Sequence, residues 1–103
     1  MWKAETLNEE VDEILENLPI KIKVKMFYII ELLEKYGNEV KEPHTKSLGA
    51  GLFEIRAKGE EGIARAFFTF QKERIIILHC FIKKEQKIPK SEIQKARERL
   101  KTL

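Results

Sequence analysis

Residues 52–68, LFEIRAKGEEGIARAFF, decide the fold because they are typical of two β-strands joined by a tight turn. Charged and apolar residues alternate along the first strand, so Glu54, Arg56 and Lys58 are expected on one face. Arg65 stands in the second strand among apolar residues. These charges are predicted to form either the solvated face of an antiparallel sheet or a face that binds an anion.

Two helices are predicted before this hairpin and one after the last strand. Thr6 and Glu9 have capping-box spacing ahead of a helical apolar pattern. Pro19 ends that first helix, and a second helix is expected to run to about Tyr36, where Gly37 follows as a C-cap signal. Ser91, soon after Pro89, is expected to help cap a C-terminal helix.

The strands complete an α+β pattern. WKAETL, residues 2–7, reads as a short edge strand, and RIIILHCFI, residues 74–82, reads as a central buried strand. Residues 38–51, NEVKEPHTKSLGAG, are a loop by composition. The predicted order is strand, helix, helix, strand, strand, strand, helix. We expect one domain over residues 1–103, with helices on one side of a small antiparallel sheet.

Composition and charge narrow the functional classes. The chain is 43% hydrophobic and 36% charged, which favours an ordinary globular domain. No apolar run approaches the length of a membrane span, and the acidic N-terminus does not resemble a signal peptide. The single cysteine, Cys80, suits a reducing cytoplasm. Residues 1–42 hold 6 Lys/Arg and 10 Asp/Glu, and residues 43–103 hold 14 and 7. This asymmetry predicts a basic surface for a polyanion, unless the charges balance across the folded surface.

Metal chemistry and triad chemistry have no support in the sequence. His79 and Cys80 are adjacent and are expected on opposite faces of a strand, and no zinc-ligand spacing is present. Phosphate-loop and nucleophile-elbow motifs are also missing. A lone histidine in an apolar strand is most often a packed core residue, although His79 shares its strand parity with Phe81 and Lys83.

The remaining chemistry is that of converging cations on a sheet. These are Arg56, Arg65, Lys83, Lys84 and Lys87. Such cations suit a phosphate and can stabilise the extra charge of a phosphorane-like transition state. RNA supplies its own nucleophile, the 2′-OH, so cleavage needs no metal. It needs a base and an acid, for which Glu54, His79 or a lysine are candidates. The alternative is a row of solvated charges on an exposed face.

Three separated blocks resemble the HigB branch of the RelE/ParE toxin superfamily. The family pattern is roughly K-x-L-x-x-G-L-x-E-[IL]-R, then [IVY]-x-R-x-[FY][FY], then H-x-F-x-K-K-x-x-K-x-P-x-x-E-[IL]-x-x-A. The matching residues are Lys46, Leu48, Gly51, Leu52, Glu54, Ile55 and Arg56; Ile63, Arg65, Phe67 and Phe68; and His79, Phe81, Lys83, Lys84, Lys87, Pro89, Glu92, Ile93 and Ala96. The resemblance covers about residues 44–100.

This resemblance implies a RelE-like fold and the toxin of a type II toxin–antitoxin system. The implied activity is that of a ribosome-dependent endoribonuclease that cuts messenger RNA, with no cofactor. The implied partners are a helix-turn-helix antitoxin, the ribosome and messenger RNA, with operator DNA bound only through the antitoxin complex and no membrane involved. By the same resemblance, Arg56, Arg65 and Lys84 face the scissile phosphate, and Lys83 and Lys87 grip RNA. We also expect Lys46, Lys58 and the basic face around Arg97 and Arg99 to bind the RNA backbone.

One departure from the RelE pattern leaves the base open. RelE enzymes often use a tyrosine near the C-terminal end, whereas the only tyrosines here, Tyr28 and Tyr36, lie in the second predicted helix. The base is then His79, Glu54 or a lysine. A ParE-like inhibitor of DNA gyrase and a non-catalytic RNA-binding domain of the same fold remain alternatives. Arg65→Ala is expected to abolish toxicity without unfolding, on the assumption that Arg65 contributes no core volume.

Overall fold

A computed structural model describes residues 1–103 of the chain, with three α-helices and five β-strands. The elements are β1 (Lys3–Thr6), α1 (Glu9–Glu16), α2 (Ile20–Tyr36), β2 (Thr45–Gly49), β3 (Leu52–Gly59), β4 (Gly62–Gln71), β5 (Arg74–Lys83) and α3 (Lys90–Leu100). The predicted α+β class is confirmed, as are the positions of the helical hairpin and the C-terminal helix. None of the helices has the length and apolar character needed to cross a bilayer.

The sheet is mixed, which corrects the prediction of a purely antiparallel sheet. Its strand order is β1-β5-β4-β3-β2, and neighbours from β2 to β5 run antiparallel. β1 instead runs parallel to β5 at the opposite edge. Thr45–Gly49, predicted as loop, is the other edge strand. This strand is short and mostly polar, so it lacks the apolar alternation that predicts a strand. It forms because β3 supplies a pairing partner.

The helix ends follow local chemistry, with two corrections. Asn8 caps α1, because its side-chain oxygen accepts a hydrogen bond from the Val11 amide at 3.0 Å. The predicted capping residue Thr6 belongs to β1 instead. Pro19 precedes α2 and Pro89 precedes α3, and neither helix has a side-chain cap, so the predicted role of Ser91 is wrong.

The β3–β4 hairpin forms as predicted. Gly59 pairs with Gly62, which leaves a two-residue turn. α2 packs close to this turn, since a Cβ at Gly59 would lie 2.6 Å from Ile22 Cγ1. The Lys25 ammonium on α2 also donates to the Lys58 carbonyl at 2.6 Å. The hairpin is therefore held against α2 by a close backbone approach that only glycine allows.

The two faces of the sheet are covered by different helices, which corrects the prediction that all helices lie on one side. A cluster of 16 buried apolar residues joins α1 and α2 to one face. α3 lies on the other face, over a separate cluster of 6 that includes Ala96. Adjacent residues of β4 show the division, since Phe68 belongs to the first cluster and Phe67 to the second.

Candidate functional site

The strand register places the predicted site residues on the α3 face, in three adjacent rows. The rows are Lys46–Glu54–Phe67–His79, Arg56–Arg65–Phe81 and Lys58–Ile63–Lys83. A bulge shifts the β4–β5 pairing between Phe67 and Phe68, which accommodates Leu78 as an extra residue on β5. Sequence parity therefore predicted correctly that His79 and Lys83 share a face, and the register adds the arginines to it.

Arg65 is buried under the segment that joins β5 to α3. None of its side-chain surface is exposed. Its guanidinium donates from Nη1 to the Glu85 carbonyl at 3.3 Å and from Nη2 to the Gln86 carbonyl at 2.5 Å. Arg65 is also among the largest fully buried side chains. The assumption that Arg65 contributes no core volume is therefore wrong.

Glu54 is buried beside Arg65 and Arg56. Its Oε2 lies 3.4 Å from Arg65 Nε, and its Oε1 lies 3.5 Å from Arg56 Nε. Neither Glu54 Oε2 nor Arg65 Nε has a hydrogen-bond partner. Burial raises the pKa of the Glu54 carboxyl, and the charges of Arg56 and Arg65 only partly offset that rise. Burial likewise lowers the pKa of Arg65, against the opposing effect of Glu54. This pair is close enough to attract but has lost most of its hydration.

His79 is a packed histidine with one carboxylate partner. Its side chain is 5% exposed, and its Nε2 lies 2.7 Å from Oε1 of Glu92 on α3. The imidazole stacks near Phe81 at a centroid distance of 5.9 Å and near Phe67 at 6.4 Å. Nδ1 is buried without a partner. We call Glu54, Arg65 and His79 the buried polar cluster, since all three carry unpartnered polar atoms beneath the C-terminal segment.

The accessible cations surround this cluster. Arg56 has 43% of its side chain exposed. The other exposed members are Lys46, Lys58, Lys83, Lys84 and Lys87. The last two lie in residues 84–89, which we call the β5–α3 segment. A cavity of about 410 Å³ opens beside it, with Lys83, Lys87 and Lys90 in its lining and Glu85 as the only acid there.

Arg97 and Arg99 hold α3 on the sheet. Arg97 donates to the carbonyls of Leu48 and Gly49, at 2.9 and 3.2 Å. Arg99 donates to the Leu78 carbonyl at 2.7 Å and pairs with Glu10. Both guanidinium groups are therefore hydrogen-bonded to partners within the chain. The prediction that they belong to a free RNA-binding face is corrected.

Sequence reasoning missed the partners of the buried groups. Glu92 matches the family pattern, but nothing in its spacing indicates that it reaches His79. The carbonyl groups that hold Arg65 leave no signal in residue identities at all. Nowhere in the chain do three His, Cys, Asp or Glu side chains lie together as a metal site would need.

The fold and the site define the class of this protein. It is a basic α+β domain with buried charged groups under its last helix. The chain belongs to the family described as phage derived protein Gp49-like (DUF891), whose model matches residues 13–101. This is a toxin-like family associated with toxin–antitoxin systems. The search of curated proteins found no match.

Proposed function

We propose that the chain is the toxin of a type II toxin–antitoxin pair, of the HigB branch, and that it is a ribosome-dependent endoribonuclease. It cleaves messenger RNA through attack of the 2′-oxygen on the neighbouring phosphorus, and no metal takes part. The observation that carries the proposal is the concentration of exposed cations around the β5–α3 segment, directly above the buried polar cluster. Family membership agrees with the toxin role.

The exposed cations bind the RNA backbone first. Lys83, Lys84 and Lys87 have no salt-bridge partner within the chain, so they are available to phosphates. Lys46 and Lys58 extend the basic surface along the outer strands. Because this contact is electrostatic, RNA binding weakens steeply as salt is added.

The chemical step requires the β5–α3 segment to move. The two terminal nitrogens of the Arg65 guanidinium donate to the carbonyl oxygens of Glu85 and Gln86. Two oxygens of one phosphate could accept the same two hydrogen bonds. When RNA displaces the segment, Arg56 and Arg65 hold the scissile phosphate. As the P–O5′ bond breaks, Lys84 gives a proton to the leaving 5′-oxygen, so that the products are a 2′,3′-cyclic phosphate and a 5′-hydroxyl. Glu54, with its raised pKa, or His79, held by Glu92, accepts the proton of the 2′-OH.

A second candidate function is RNA binding without cleavage. The observation that favours it is the near-complete burial of Arg65, Glu54 and His79. If the β5–α3 segment stays closed, only the surrounding lysines and Arg56 reach a ligand. Such a domain binds RNA and leaves it intact.

The test is expression of the chain in cells, followed by mapping of messenger RNA 5′ ends. The site variant is the triple change Lys83→Ala, Lys84→Ala and Lys87→Ala. Its matched control is Lys21→Ala, Lys35→Ala and Lys101→Ala, which removes the same charge from exposed positions elsewhere. We expect new ends inside translated codons with the parent chain and the control, and at least a tenfold loss with the site variant, since about three phosphate contacts are removed.

Other outcomes change the assignment. Intact messages with RNA bound to the purified chain would favour the non-catalytic domain. Intact messages with growth arrest and DNA cleavage complexes would point to a gyrase-directed toxin of the ParE kind. Equal cleavage by the site variant and its control would remove the lysines from the site.

A further inference from the structure

A second cavity lies at the open edge of the sheet, on the face opposite the buried polar cluster. It has a volume of about 300 Å³ and lies between β2 to β4 and the loop that follows α2. Its lining includes Phe53, Phe68 and Phe70, together with Lys41 and Lys46. The size is at the small end of the range of small-molecule sites, about 300–1,000 Å³.

The aromatic wall is built before any ligand arrives. Phe53 stacks on Phe68 at a centroid distance of 5.5 Å, and Phe70 meets both edge-on. Phe68 is fully buried, whereas Phe53 and Phe70 are only half-buried and retain accessible ring surface. The loop above them is fixed, since the Thr45 hydroxyl donates to the Val40 carbonyl at 2.8 Å. A preformed aromatic wall with accessible ring surface is suited to stacking.

The charges around the cavity favour an anionic ligand. Lys41 lies at its mouth, whereas Lys46 lies on the other face of β2, at the same sheet edge and beside Glu54. Both lysines are exposed, and neither forms a salt bridge within the chain. Glu42 is the only acid in the lining. Aromatic rings flanked by lysines form the combination that binds single-stranded nucleic acid, in which a base stacks and its phosphate pairs with a cation.

Lys46 connects this cavity to the proposed cleavage face. It pairs in register with Glu54, and Arg56 lies two residues further along β3. A strand of RNA that crosses the β2 edge can therefore place one phosphate near Arg56 and Lys46 and a neighbouring base in the cavity. The edge is open, because β2 has no partner on its outer side.

We propose that this cavity binds a single nucleobase of the RNA strand, next to the phosphate held by the cations. The inference rests on the proposed function for the identity of the strand. It goes further in assigning a base-stacking site to Phe53 and Phe70, with Lys46 as the cation that pairs with the attached phosphate.

The test is titration of the purified full chain with AMP, CMP and, separately, inorganic phosphate. Trp2 is the only tryptophan, and its ring lies 5.0 Å from Phe70, so its indole N–H signal in NMR reports on the cavity. We expect a saturable shift with AMP or CMP and a much smaller one with phosphate. Phe70→Leu should weaken nucleotide affinity about tenfold, in the range for loss of one base stack. Lys46→Ala should weaken it as well.

Matched controls separate stacking from general damage. Phe27→Leu changes another half-buried phenylalanine, on α2, and Lys21→Ala removes an exposed lysine from the same helix. Both should keep the affinity of the parent chain. The inference is overturned if no nucleotide shifts the Trp2 signal, if phosphate alone shifts it equally, or if Phe27→Leu weakens binding as much as Phe70→Leu.

The proposed base-stacking site and the proposed cleavage activity can be refuted separately. Nucleotide binding that depends on Phe70, in a chain that leaves cellular messages intact, supports the cavity and refutes the ribonuclease. Message cleavage that Phe70→Leu leaves unchanged in rate and position, with no nucleotide shift at Trp2, refutes the cavity and retains the ribonuclease.

Discussion

The sheet face under α1 and α2 encloses 16 buried apolar residues, whereas the face under α3 encloses 6 and shares its interior with Glu54, Arg65 and His79. Burial of apolar surface stabilises a fold by roughly 25 cal/mol per Å², but a buried charge loses its hydration and costs free energy unless it is well paired. The first face therefore provides most of the stability. The second face contributes less to stability, because the burial of its polar groups costs free energy.

The helices differ in the same way as the faces they cover. α2 contributes five buried residues to the first face. α3 contributes one fully buried residue, Ala96, and its half-buried Ile93 and Leu100 pack against the same cluster. The rest of its attachment is polar, through Glu92, Arg97 and Arg99. Segments with few buried apolar contacts open at low free energy. The comparison predicts that the C-terminal segment can move while the α1–α2 face stays folded.

The largest expected effect is at Phe68, in the centre of the apolar face. Phe68→Ala should lower the free energy of unfolding by about 3–5 kcal/mol, because it leaves a cavity in a packed core. That is a large part of the roughly 5–15 kcal/mol available to a domain of this kind. Urea unfolding followed by circular dichroism measures it. A loss below about 1 kcal/mol would mean that the apolar face is not the main source of stability.

Arg65 makes the matching test on the polar face. Arg65→Ala should cost about 3–5 kcal/mol, because it removes the buried partner of the Glu54 carboxylate and leaves only the part-exposed Arg56 beside it. The double variant Glu54→Gln, Arg65→Met removes both charges and should recover most of that loss. The same urea titration on the parent, on Glu54→Gln, on Arg65→Met and on the double variant gives the coupling between the two charges. If Arg65→Ala unfolds at the parent midpoint, the pair is not buried as described.

The sequence predicted the strands around Arg65 but not the burial of its side chain. The alternation in residues 52–58 and the glycines at 59 and 62 predicted the hairpin, because strand period and turn chemistry are local properties. The same alternation placed Glu54 and Arg56 on one face. It did not indicate that Arg65 is buried, since burial there comes from Glu85 and Gln86, which lie about twenty residues away.

The other misses have the same origin. β2 forms on the edge because β3 offers hydrogen-bonding groups, and no feature of TKSLG predicts it. Arg97 looked like a free cation because a sequence does not show which carbonyls a guanidinium will meet. Local chemistry predicted the elements and which strand residues share a face, and long-range packing decided which of those residues reach solvent.

The buried thiol of Cys80 should make the stability of the fold depend on pH. Burial raises the pKa of its thiol from an ordinary 9.0 to about 12. Above about pH 9 the unfolded chain therefore loses this proton while the folded chain keeps it, so stability falls as pH rises towards 12. The contribution approaches about 1.4 kcal/mol per pH unit. Cys80→Ala should show a correspondingly shallower decline between pH 9 and 11 in thermal unfolding.

The informative quantity is the difference between the parent and Cys80→Ala, because every other group contributes equally to both curves. The alanine chain should be less stable at pH 7 because a buried side chain is shortened. The two curves should then converge as the pH rises. Parallel curves would show that the thiol is reached by solvent.

The smallest effect should be local and confined to the polar face. Arg97→Ala removes two charged hydrogen bonds to the β2 end, worth about 1–2 kcal/mol of α3 docking. Amide hydrogen exchange should become about tenfold faster in α3, with the amides of α2 unchanged. Lys101→Ala, an exposed lysine just beyond α3, should change neither. Equal acceleration in both helices would mean that α3 opens only when the whole domain unfolds. In that case the β5–α3 segment could not uncover Arg65 for a phosphate, and the lysines around it would have to bind RNA without the buried polar cluster.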